Sequence, residues 1–96
     1  MGFIQTIELS TKNYDELERL HDQWRTATEG TRTVVSERIC ADRDRPGSYT
    51  VIVEFASYED AMRNNDLPAT AEIAAGMTAL ADGPPVYRNL DVLRRD

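Results

Sequence analysis

The apolar residues of this chain switch repeatedly between two spacings, every second position and every third or fourth, and the order of those spacings leaves few folds open. Phe3, Ile7 and Leu9 fall on one side of a two-residue alternation and Ile4, Thr6 and Glu8 on the other, which predicts a half-buried strand over 3–9. Asn13, followed three residues on by Glu16, is a helix-opening pair in which each side chain can satisfy an orphaned backbone N–H. In the helix that follows, Leu17, Leu20, Trp24 and Ala27 share one arc, while Asp15, Glu18, Arg19, Asp22 and Gln23 occupy the rest. Burying a large apolar side chain contributes about 1.5–3 kcal/mol, against about 0.3–0.5 kcal/mol for an exposed pair such as Asp15 with Arg19. The apolar arc therefore decides how this helix docks.

Glu29-Gly30 closes the helix, and two β-rich runs follow at 33–42 and 49–55, with Tyr49, Val51, Val53 and Phe55 on one face of the second. The charged segment between them carries Pro46-Gly47, a pair that suits a reverse turn, so the two runs form a hairpin. Ser57 with Asp60 opens a short helix that Asn64-Asn65-Asp66 interrupts; Pro68 then opens another, with Ile73, Met77 and Leu80 as its apolar stripe. Asp82-Gly83-Pro84-Pro85 ends that helix before a last strand over 86–93. The order is β-α-β-β-α-β, an α+β chain of ferredoxin-like topology in which one domain, 1–96, has a four-stranded antiparallel sheet covered by helices on one face. The other face is left with Ile4, Thr6, Thr50, Ile52 and Leu93 among Glu8, Glu54 and Asp91, and a second copy of the chain is the partner expected to cover it.

Seventeen acidic against eleven basic side chains give a net charge of −6, which disfavours nucleic acid and anionic membrane as partners. The single cysteine, Cys40, cannot form an intrachain disulfide, and no Cys/His spacing suits a metal, so neither metal nor cofactor is assigned and a packed, inert thiol is expected. With neither a basic leader nor a long apolar stretch, a cytoplasmic setting is expected.

The strand exit Val53-Glu54-Phe55-Ala56-Ser57-Tyr58-Glu59-Asp60-Ala61, the helix containing Pro68 and the closing Tyr87-Arg88-Asn89-Leu90-Asp91-Val92 resemble the dimeric α+β barrel superfamily. That superfamily includes antibiotic-biosynthesis-type monooxygenases, stress-responsive barrel proteins, haem-degrading enzymes and small polyketide cyclases. The resemblance spans nearly the whole chain and implies a homodimer with an apolar or aromatic molecule bound between sheet and helices. Two marks of its members are missing: Ala69-Thr70-Ala71 stands where several carry a histidine early in the final helix, and no tryptophan follows Asn64 or Asn65 by one helical turn.

Five residues are candidates for a site. His21, at the edge of the arc that holds Trp24, is placed to act as acid or base, and Trp24 offers an indole for stacking on a flat ligand. Arg88 alternates with Val86, Leu90 and Val92, which predicts a guanidinium on the core face, paired with Glu37 or with a ligand oxygen. Tyr49 joins Tyr58 and Tyr87 as phenols able to orient an aromatic ligand, and the Asn64 amide lies in the helix break at the expected pocket mouth. The chemistry these imply is cofactor-free oxidation of a phenol, or aldol-type cyclisation with His21 as base and Arg88 as oxyanion partner. A closed, non-catalytic dimerisation or interaction module is the rival reading.

Overall fold

A computed structural model describes residues 2–96. Strand β1 (Phe3–Ser10) runs through the middle of the sheet, paired antiparallel with β3 (Ser48–Phe55) on one side and β4 (Val86–Asp91) on the other. Strand β2 (Val34–Ala41) pairs with the far side of β3, giving the order β2-β3-β1-β4. Helix α1 (Tyr14–Ala27) joins β1 to β2, and the second crossover is split into α2 (Tyr58–Asn65) and α3 (Pro68–Leu80). This is the ferredoxin-like arrangement, with all helices on one face.

Local chemistry accounts for the element boundaries. The Asn13 side chain accepts from the Glu16 N–H at 3.2 Å, and Ser57 accepts from the Asp60 N–H at 3.1 Å, so both helices start on a capping oxygen. The Asn13 cap is not reciprocal, because the Glu16 carboxylate is bound by Arg19 instead. That ion pair also replaces the expected Asp15–Arg19 pair. Gly47, at φ +85°, takes the left-handed position in the β2–β3 turn that a side chain would strain.

Phe3, Ile7 and Leu9 of β1 are buried with Val51 and Phe55 of β3, Leu17 and Trp24 of α1, Ala61 of α2 and Met77 of α3. The arc of α1 ends one residue later than its sequence suggests. Ala27 is exposed and Thr28 is buried, its hydroxyl donating to the Trp24 carbonyl at 2.7 Å. Helices α1 and α3 run antiparallel and pack closely, since a Cβ on Gly76 would lie 2.9 Å from a Leu20 methyl.

Two strands depart from simple alternation. A bulge between Val34 and Ser36 puts Val34 on the helix side with Glu37 and Ile39, leaving Val35 61% exposed on the opposite face. Cys40 is exposed there too, so it is not the packed thiol its sequence predicts. In β4 the register sets Arg88 opposite Thr6 and Leu90 opposite Ile4, while Tyr87, Asn89 and Asp91 oppose Ile7, Gln5 and Phe3. Arg88 therefore lies on the open face and Asp91 on the helix side, the reverse of the sequence-based expectation for both.

Leu17, 1% exposed in the main apolar cluster, sets the scale of core stability. Leu17→Ala is expected to cost about 2–5 kcal/mol in chemical denaturation, against about 1 kcal/mol for Asn13→Ala at the cap.

Candidate functional site

The helix-facing side of the sheet is not uniformly apolar. Between the rung Phe55–Phe3 and the rung Val51–Ile7 lies a third one, where Glu37 of β2, Val53 of β3, Gln5 of β1 and Asn89 of β4 stand side by side. Gln5 donates to the Asn89 side chain at 3.3 Å. This polar rung divides the buried residues into two clusters, one around Leu17 and Met77 and one around Phe3 and Phe55. Over it, between sheet and helices, is a cavity of ≈ 370 Å³. Its walls are mainly apolar, with Ile7, Val51, Val53, Ile73 and Met77 among them.

Three of the five candidates meet at this cavity: His21, Trp24 and Asn64. The Trp24 indole N–H donates to the Thr70 hydroxyl at 3.0 Å, tying α1 to α3 across the roof. The Arg32 guanidinium lies 5.9 Å above the indole and His21 lies 5.9 Å from it between ring centres, so the ring is held on several sides. Asn64 sits in the last turn of α2, 5% exposed, and its Oδ1 is buried with no hydrogen-bond partner. Buried polar atoms are almost always satisfied, so this enclosed oxygen is an exception within a residue of the cavity lining.

The other two candidates are elsewhere. Tyr49 stacks on Tyr14 with 4.8 Å between ring centres, packed against the Leu17 cluster and away from the cavity lining. Arg88 binds Glu8 on the open face, with Nη2 3.0 Å from Oε2. It is not the partner of Glu37, and it does not line the cavity. Of the other phenols, Tyr87 lines the cavity and its hydroxyl is pushed to a higher pKa by burial, while Tyr58 is exposed and stands edge-on to Phe3.

Glu37 takes its charge partners from α1. Arg25 Nη1 donates to Oε1 at 2.6 Å, and His21 Nε2 lies 3.4 Å from the same oxygen. His21 and Arg25 are one helical turn apart, which lets both reach down to β2. Burial alone raises the Glu37 pKa, but the hydrogen bonds from His21 and Arg25, with the charge of Arg25, outweigh it and hold the carboxyl below its ordinary range. Sequence spacing does not reveal this trio, because His21 and Glu37 come together only once α1 is docked and the bulge in β2 has set its register. The signal present in the sequence is the placing of Gln5 and Glu37 among apolar neighbours.

The lowered pKa of Glu37 fixes the sign of a pH effect. Stability from its ionised form is fully present above the ordinary carboxylate value of about 4.3 and is lost as pH falls through the lower folded value. Wild type is expected to exceed Glu37→Gln by about 1 kcal/mol near neutrality, with the gap closing as pH falls below the ordinary carboxylate range, measured by urea denaturation across pH.

No helix among the described residues is long and apolar enough to cross a membrane. No protein-family model matches the sequence, and no curated protein matches it. Solved structures do match. A Caulobacter crescentus protein assigned to the antibiotic biosynthesis monooxygenases superposes with a TM-score of 0.82 at 16% identity, over 97% of this chain and 91% of that one. Rv0793 from Mycobacterium tuberculosis gives 0.81 at 15% identity, over 99% and 98%. SnoaB, a cofactor-independent oxygenase from Streptomyces nogalater, gives 0.80 at 14% identity, over 98% and 95%. The chain thus shares the ferredoxin-like fold of these structures, four antiparallel strands with helices on one face.

Proposed function

We propose that this protein binds a small, flat aromatic molecule between sheet and helices, and that such a molecule is the substrate of a cofactor-free oxidation. The observation that carries the binding reading is the cavity of ≈ 370 Å³ between sheet and helices, lined mainly by apolar side chains with His21 and Trp24 among them. That volume lies in the usual range for small-molecule sites, and its apolar walls with few polar groups suit an aromatic body with a polar edge. Fold likeness to a cofactor-independent oxygenase supports the oxidation reading. In that chemistry the ionised phenol itself delivers electrons to oxygen, so the protein has only to bind it, orient it and help it lose a proton.

Calorimetric titration with 1-methoxynaphthalene tests the cavity directly. Binding is expected with wild type, and Ala74→Leu, which adds a side chain at the α3 wall, is expected to weaken it at least tenfold, about 1.4 kcal/mol. A filled interior that binds nothing returns the protein to the class of non-catalytic modules. For turnover, oxygen uptake with a polycyclic phenol is expected to fall on His21→Ala while circular dichroism is unchanged.

The open sheet face supports a homodimer. Ile4, Thr6, Thr50, Ile52, Val86 and Leu90 share it with Glu8, Glu54 and the exposed Arg38, and both carboxylates are already bound, by Arg88 and Arg95. Neutralised in pairs, these carboxylates can be covered by an identical surface at lower cost than free ones. Sedimentation at micromolar concentration is expected to give a dimer, and Ile52→Arg, which places an unpaired charge at the centre of the face, a monomer.

A further inference from the structure

We infer that His21, Glu37 and Arg25 form one proton-accepting unit at the cavity wall, so that a hydroxyaromatic ligand is held there as its anion. The inference rests on the cavity reading above and specifies the charge state of the bound molecule.

The geometry assigns the roles. His21 Nε2 lies 3.4 Å from Glu37 Oε1, and the tautomer that suits this contact carries its N–H on Nε2 and leaves Nδ1 as the ring's acceptor. His21 is also a wall residue of the cavity. In the step inferred, the ligand O–H bond breaks, its electron pair stays on oxygen, and the proton forms an N–H bond at Nδ1. The resulting charges alternate along one line of residues: ligand oxygen negative, imidazolium positive, Glu37 negative, Arg25 positive. No net charge is added, and each new charge has an opposite neighbour, which is the arrangement that lets a buried imidazole take a proton. Arg25, 2.6 Å from Glu37, holds that carboxylate ionised before the ligand arrives.

The remaining cavity groups do not compete for the proton. Asn64, Asn65 and Thr70 of α2 and α3 are uncharged. Tyr87 of β4, a phenol whose pKa is raised rather than lowered, is protonated around neutrality and so is a donor rather than a competing base. An amide oxygen such as Asn64 Oδ1 accepts a hydrogen bond but does not take up the proton. In these roles His21 touches the ligand, and Glu37 and Arg25 act through it as positioning residues.

The test uses the full chain and two probes of nearly the same shape, 1-naphthol and 1-methoxynaphthalene, of which only the first has a proton to give. Calorimetry reads binding, and ultraviolet absorbance reads ionisation of bound naphthol as pH is raised. Expected are pH-independent binding of the ether around neutrality and a naphthol pKa at least one unit below its value in water, a tenfold gain in ionised fraction. Glu37→Gln is expected to remove most of that shift, and His21→Gln all of it, while both variants still bind the ether, which also confirms that they are folded. Naphthol that binds but titrates as in water overturns the inference and leaves the cavity reading standing. An undiminished shift in Glu37→Gln overturns the positioning role. Failure of wild type to bind either probe overturns both readings.

Discussion

A polar rung on the buried side of the sheet is the constraint around which the rest of the molecule is arranged. Glu37 and Gln5 stand level with each other beneath the helices, with Val53 between them and Asn89 beside Gln5 at the exposed margin. Packing hydrocarbon directly on amide and carboxylate groups strips their hydration without replacing their hydrogen bonds, at about 1–3 kcal/mol for each group left unpaired. The helices instead pack on the apolar rungs to either side, and the space over the polar one stays open.

A roof over open space has to hold itself together, and its two main beams do so by close approach. Gly76 has no side chain to keep Leu20 at a distance, and Trp24 and Thr70 are joined by a hydrogen bond one turn further along. The same indole that closes the roof presents a ring to the cavity, so structural and recognition roles fall on one residue. A charge cluster of a histidine, an arginine and a glutamate is likewise divided between roof and floor. It fixes α1 over β2 as well as setting the electrostatics of the wall.

What the sequence makes legible is what adjacent residues decide. The cap at Asn13, the buried positions of β1 and β3, the break after Asn65 and the order of elements all follow from spacings within a few residues. The faces of β2 and β4 do not. In β4, Val86, Leu90 and Val92 look like a core-facing set, yet pairing with β1 turns Val86 and Leu90 outward, and Arg88 with them. Alternation tells which residues share a side but not which side is buried, and here the unburied one is itself rich in apolar residues. In β2 a single extra residue at the bulge exchanges Val35 for Val34, a shift no periodicity displays. Of the site, His21, Trp24 and Asn64 were accessible from helix geometry and the helix break. Glu37 was visible as a charge needing a partner, but its partners depend on docking.

The bulge in β2 has a further consequence at the margin of the sheet. An outermost strand with evenly spaced N–H and C=O groups is a template on which another chain can lay itself down, the first step toward fibrils. The extra residue near Val35 breaks that even spacing and bends the ribbon where β2 begins. At the opposite margin β4 has only six residues and is followed by Arg94 and Arg95. Both borders thus discourage endless lateral growth, which leaves broad, closed, face-to-face contact as the mode of self-association least exposed to aggregation.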